Sequence, residues 1–282
     1  MTENNSKLLL QFKATDLAHA RALAHRAVQH LSGLARANID AKPDDSHSNL
    51  GWDDAIGGLR THSIGDIAMV LKFSPLTLIF LQGEKHVAQL TLEGKLVSDA
   101  EEWVDKTALS LGLSAASAGE IPYDLPAEVL AISTYDSGRA TDQLAAMREW
   151  FKLASSVLQT LAFEEASRKP GPGPIRCWPH HFDIATYIAL EEGDPETAKG
   201  IGVGMSPGDA SCNEPYFYIN PWPHLDKASL PKPTAPGYWH LDGYVGLVAT
   251  STSLQATGFV TGSAADFINH GFKTAFGAQW AA

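Results

Sequence analysis

Cysteine is nearly missing from this chain: only Cys177 and Cys212 occur among 282 residues. Two thiols cannot staple a disulfide scaffold, so a hydrophobic core has to hold the fold. Long apolar runs are missing too, which argues against a membrane-spanning helix. Residues 1–15 lack the basic-then-apolar plan of a secretory leader. Asn4-Asn5-Ser6 matches a glycosylation sequon, which means something only on a secreted chain. A soluble, reduced, cytoplasmic protein is the expectation. Basic charge is scarce as well. There are 21 Lys and Arg against 32 Asp and Glu, a formal net charge of −11. The deficit is spread along the chain: 11 against 15 in residues 1–120 and 10 against 17 in the remainder. With no basic stripe, nucleic-acid binding is not expected; acidity of this size serves solubility.

What is present is apolar residue in quantity, 44% of the chain, enough to bury a sizeable core. Its spacing alternates between two periods. Asp16 opens a helical pattern with Leu17, Ala20, Ala24, Ala27, Val28, Leu31 and Leu34 on one face, stopped by Asn38. A polar loop and Trp52 follow, then strand-like runs at 64–73, 76–81 and 87–92. Ser98-x-x-Glu101 reads as a capping box opening another helix. The second half has the same order. Asp142 opens a helix carrying Leu144, Met147, Trp150, Phe151, Ala154, Val157, Leu158 and Leu161. A Pro-Gly loop leads to Trp178, and strand-like runs follow at 182–190, 200–205, 216–220 and 243–251. Ser263-x-x-Asp266 resembles a second capping box. The expectation is an α+β protein of two pseudo-repeated units, each helix–antiparallel strands–helix, covering 1–120 and 121–282. The connection between Ala115 and Arg139 is short for a flexible linker, so the halves are expected to pack together, in one shared sheet or two.

Chemistry-bearing residues concentrate between Cys177 and His224. Side chains alternate across a strand, so a strand led by Trp178 puts His181, Asp183 and Tyr187 on one face and His180, Phe182 and Ile184 on the other. Groups at i and i+2 lie about 6–7 Å apart. His181 and Asp183 then read either as a pair aimed at a ligand or metal, or as a structural hydrogen bond. The same parity puts Glu214, Tyr216, Tyr218, Asn220 and Trp222 on one face, with Phe217 and Ile219 toward the core. It also puts His240, Asp242 and Tyr244 together. One face that gathers these groups can bind a polar, ring-bearing molecule or a divalent metal. It can equally be an amphipathic sheet with half-buried tyrosines.

Gly200, Gly202 and Gly204 alternate with Ile201, Val203 and Met205, leaving one strand face as bare backbone. That admits close approach of a ligand or, the favoured reading, a tyrosine lying across the glycines. Gly204-Met205-Ser206-Pro207-Gly208 has the spacing of a hydrolase nucleophile elbow, but Pro207 has no N–H for an oxyanion hole. Trp-Pro-His occurs twice, at 178–180 and 222–224, and packing of strand ends is its simplest role. Cys177 and Cys212 lack any metal-ligand spacing. His19, His25 and His30 lie along the first helix, where solvated or capping roles suffice.

Several of these segments resemble a bacterial family built on a domain of unknown function. The likeness is carried by Ile121-Pro122-Tyr123-Asp124, Tyr135-Asp136, Phe182-Asp183-Ile184-Ala185, Ser206-Pro207-Gly208, Glu214-Pro215-Tyr216-Phe217-Tyr218, Pro221, Pro223 and Gly243-Tyr244. It covers mainly residues 120–280 and implies no particular activity. Relatives in that family lack the doubled histidine of His180 and His181 but share a residue like Asp183. This favours Asp183 and the aromatic strand over a histidine metal site.

Three functions follow as expectations. The first is small-molecule binding through an aromatic and carboxylate groove of Asp183, Tyr187, Tyr216, Tyr218, Trp222 and Tyr244. The second is a metal-dependent hydrolase or lyase, with His181, Asp183, Glu214 and His240 holding a divalent metal whose bound water attacks. The third is a structural or interaction protein whose aromatics form a core or a homodimer interface.

Overall fold

The computed structural model describes residues 8–119, 121–194 and 197–281; the sequon at Asn4 lies outside them. The architecture is α+β with two separate antiparallel sheets. The chain divides into two compact units. An N-terminal unit takes the described residues of 16–148 together with 176–182, and a C-terminal unit takes those of 8–15, 149–175 and 183–281. The units are discontinuous in sequence, with boundaries at 15/16, 148/149, 175/176 and 182/183.

In the N-terminal unit, helix α1 (Ala18–Asn38) precedes a five-stranded meander. Its strands are β1 (Gly51–Asp53), β2 (Gly58–Arg60), β3 (Ile67–Lys72), β4 (Thr77–Gln82) and β5 (Lys85–Thr91), paired in that order. Helix α2 (Val97–Ser110) and the short α3 (Ala127–Leu130) follow. Met69 pairs Phe80 and Leu71 pairs Leu78; Phe80 meets Trp103 of α2 with ring centroids 5.8 Å apart. On the other face Val70, Ile79 and Leu81 cluster beneath Ile56. No side chain caps α2: its N-cap is Leu96 and Ser98 is already helical. The Ser98 capping box is thus a coincidence of spacing.

Helix α1 is buried almost all round, from Ala20 to Ala35 with Arg26 the exception. Its polar side chains must therefore be satisfied internally. His25 Nε2 donates to the Pro179 carbonyl at 2.8 Å, and Gln29 Nε2 donates to the same oxygen at 2.9 Å. Tyr123 donates to Gln29 Oε1 at 2.8 Å. His30 shares a 2.9 Å hydrogen bond with the Tyr135 hydroxyl. The expectation of solvated roles for His25 and His30 is overturned, because the helix has no solvent face where they stand. Phe182, fully buried, stacks on His25 at 5.0 Å and has a left-handed backbone, φ 58°. A bulky residue in that region is strained by about 1 kcal/mol or more.

The C-terminal unit holds most of α4 (Thr141–Glu164) and six of the seven strands of the second sheet. Those strands are β6 (Gly171–Pro172), β8 (Asp183–Ala189), β9 (Gly200–Ser206), β10 (Tyr216–Trp222), β11 (Tyr238–His240) and β12 (Gly246–Thr250), while β7 (Arg176–Trp178) falls in the N-terminal unit. The main path runs β11-β12-β10-β9-β8-β6, an order unlike the plain meander of the other sheet. Helices α5 (Ser251–Gln255) and α6 (Val260–Ala281) close the chain. Thr250 caps α5 by accepting from the Ser253 N–H. Ser263 lies inside α6, so the second capping box also fails. Phe217, Ile219, Ile201, Val203 and Leu247 form the core face, on which α6 packs. The helix packs tightly at Gly271, where a Cβ would run into Ile219 Cδ1. Among the described residues no helix is long and apolar enough to cross a membrane.

Burial holds the His25 imidazole down at about 4 and that of His30 at about 3, against an ordinary 6.5. Unfolding frees both to protonate at 6.5, so the unfolded state binds more protons below that pH. Stability is then fully present above pH 6.5 and lost as pH falls toward 4. One such histidine contributes up to about 1.4 kcal/mol per pH unit in that window. Urea unfolding from pH 7.5 to 4.5 is expected to show the decline, and His30→Gln should flatten it by about one proton. A curve identical in wild type and variant would contradict this account of the buried histidines.

Candidate functional site

The face of the seven-stranded sheet opposite α6 carries most of the expected ligand residues. Register gathers them. Tyr216 sits across from Ser206, Tyr218 from Gly204, Asn220 from Gly202 and Trp222 from Gly200. On the other side of β9, Tyr187 sits across from Gly202 and Ala185 from Gly204. All share one parity, so all share one face.

Two of the three glycines are roofed. Tyr218 lies over Gly204, where a Cβ would fall 2.5 Å from its hydroxyl oxygen. Its phenol reaches across β9 and donates to Asp183 Oδ2 at 2.5 Å. Tyr187 covers Gly200 in the same way and is 44% exposed. Gly202 between them is not covered: the nearest atom to a Cβ there is the Asn220 carbonyl oxygen at 3.7 Å. It is also partly exposed while Gly200 and Gly204 are buried. A slot one residue wide thus opens on bare backbone, flanked by Tyr187, Tyr218, Asn220 and Trp222. The side-chain oxygen Oδ1 of Asn220 is buried with no hydrogen-bond partner among the described residues.

The upper end of the face is closed by polar bonds. Tyr216 donates to Asp209 Oδ2 at 2.6 Å. Asp209 Oδ1 accepts the Ser211 and Cys212 N–H groups at 2.8 and 3.0 Å, which makes the turn after β9 rigid. The rings of Tyr216 and Tyr218 lie 6.2 Å apart, and Tyr244 lies 4.5 Å from His240. Burial pushes the Tyr244 phenol up to about 12, against a hydrogen bond with Tyr216 that lowers it. Burial also raises Tyr216, with the Asp209 carboxylate adding to it, and raises Tyr218 well above the ordinary phenol value, with Asp183 adding to it. Tyr216 and Tyr218 therefore keep their protons at neutral pH and act as donors. Trp222 meets His224 edge-on at 5.1 Å.

The metal set is not brought together: among the described residues no group of three or more His, Cys, Asp and Glu can hold an ion. His181 is exposed in the turn before β8, with its ring 4.2 Å from that of His180. The left-handed Phe182 interrupts the alternation on which the His181–Asp183 pairing rested. Glu214 accepts from Ser251 Oγ at 2.6 Å and the Thr252 N–H at 2.7 Å, so it tethers the start of α5. His240 Nε2 donates to the Asp242 carbonyl at 2.5 Å. Ser206 ends a strand and its Oγ accepts the Gly208 N–H at 3.1 Å, in keeping with rejection of the nucleophile elbow.

Sequence reasoning missed Asp209 as the partner of Tyr216. Its turn chemistry was visible in Ser206-Pro207-Gly208-Asp209, but its reach depends on the pairing of Tyr216 with Ser206. Comparison with known proteins gave no match to any family model, curated protein or solved structure.

The three glycines should respond differently to substitution. Gly204→Ala displaces the Tyr218 ring and should cost about 1–3 kcal/mol in urea unfolding. Gly202→Val adds a β-branched side chain on an open strand position and should stay within about 0.5 kcal/mol of wild type. Equal losses at both positions would show that Gly202 is no more open than Gly204.

Proposed function

We propose that this protein binds a small, ring-bearing molecule on the outer face of the C-terminal sheet, at the slot over Gly202. The observation that carries the reading is the uncovered Gly202 between two roofed glycines, with the buried Asn220 Oδ1 beside it. A buried carbonyl oxygen without a donor costs about 1–3 kcal/mol. A ligand N–H or O–H delivered there removes that cost. A flat ring laid on the bare backbone of β9 touches Tyr187 on one side and Tyr218 on the other. Both phenols prefer offset or edge contacts with such a ring. Asp183, held by Tyr218, keeps that phenol from swinging into the slot. Tyr216, Trp222 and Tyr244 bound the face at its ends. No step of bond making or breaking is assigned to these groups.

Saturation-transfer NMR tests this with a panel of one-ring and two-ring aromatic amines and alcohols. Contacts are expected with the wild-type chain and lost in Gly202→Val, which fills the slot without unfolding the sheet. Asn220→Ala should weaken binding by roughly 2- to 10-fold, the worth of one hydrogen bond. Binding of the whole panel to Gly202→Val as tightly as to wild type would sink the proposal. A panel with no binder would favour the structural reading of the aromatic face.

A further inference from the structure

A second cleft lies wholly within the N-terminal unit, distant in sequence from the aromatic face. Its volume is 280 Å³, and its walls include Arg26, Gln29 and Arg36 of α1, Glu101 and Asp105 of α2, and Ser117. The volume is near the lower end of the ~300–1,000 Å³ range of ligand pockets, so an occupant is small.

The charges around it are unevenly matched. Arg26 Nη2 donates to Glu101 Oε1 at 3.1 Å. Asp105 accepts the Ser117 N–H at 3.0 Å and the Ser117 hydroxyl at 2.5 Å. Both carboxylates are thereby engaged. Among the described residues, Arg36 has only neutral hydrogen-bond partners. Its Nη1 donates to Ser32 Oγ at 2.5 Å and, at 3.5 Å, to the Tyr123 hydroxyl. The Tyr123 ring lies 5.7 Å from its guanidinium carbon. Nε and Nη2 are buried and have no acceptor among the described residues. Those two nitrogens form one edge of the guanidinium, the edge whose parallel N–H groups take two oxygens of a single oxyanion. Arg26 Nε is buried and unbonded in the same cleft. A buried donor edge of a cation left unused is costly unless a counter-ion meets it.

We propose that this cleft binds a small molecule through a carboxylate or phosphate group seated on the Nε–Nη2 edge of Arg36. The ring of Tyr123 covers the guanidinium and its hydroxyl is tied to Gln29, so seating the anion turns Tyr123 aside. Glu101 and Asp105 on the facing helix disfavour a second anionic group and favour a ligand that carries a single one. The site is independent of the aromatic slot and stands or falls without it.

Calorimetric titration of the full chain at fixed ionic strength tests the assignment, with acetate, glycine and inorganic phosphate as probes. Saturable binding of acetate or glycine alone identifies a carboxylate site, and of phosphate alone a phosphate site; either supports the proposal. Arg36→Lys keeps the charge but not the paired donors, and its affinity should fall by roughly 10- to 100-fold. Arg36→Met should abolish binding. Without added anion it should melt no lower than wild type, because it removes a buried donor edge that has no acceptor. Should the Met variant fail to fold, the Lys variant carries the comparison alone. No saturable binding of any probe, or equal affinity in Arg36→Lys, overturns the proposal.

Discussion

Strand β9 sits in the middle of the seven-stranded sheet and has no side chains on its outer face between Gly200 and Gly204. The rest of that face is arranged around this bareness. A glycine in a strand interior weakens the strand unless something lies across it. Tyr187 and Tyr218 do so from opposite neighbours, one from β8 and one from β10. Tyr218 is then long enough to span β9 and reach Asp183, so a carboxylate at the start of β8 and a phenol on β10 become one unit. The bond is short and charge-assisted, the kind with the strongest orientation. It holds three adjacent strands in a register that a slip of one residue would destroy.

The N-terminal unit meets a different constraint with the same economy. Its central helix is too deeply buried for its polar residues to find water, so one carbonyl, that of Pro179, takes two of them. That carbonyl lies in a turn that requires Phe182 to adopt a left-handed backbone. The strain is small beside the cost of leaving His25 and Gln29 unsatisfied, each about 1–3 kcal/mol. The turn is therefore better understood as an acceptor delivered to α1 than as the beginning of a strand.

Much of this was legible in the sequence, and the failures have causes. Alternation located β3, β4, β5, β8, β9, β10 and β12 within a few residues and sorted Tyr216, Tyr218, Asn220 and Trp222 correctly from Phe217 and Ile219. It works where backbone is uninterrupted and fails where one residue leaves the β region, as Phe182 does between His181 and Asp183. The capping boxes at Ser98 and Ser263 failed because a four-residue spacing says nothing about where the backbone turns helical. Asp209 and the buried histidines were hidden because their roles belong to partners far off in sequence. Periodicity shows which face a side chain takes; it does not show what stands opposite.

The close approach of α6 at Gly271 has a further meaning. Ile219 fills the space that a side chain there would need, and Ile219 lies on β10, one residue from Tyr218. The outer aromatic face and the inner helix contact are thus carried by adjacent residues of one strand. Substitutions on α6 can therefore shift the strand that carries Tyr218 without touching the outer face.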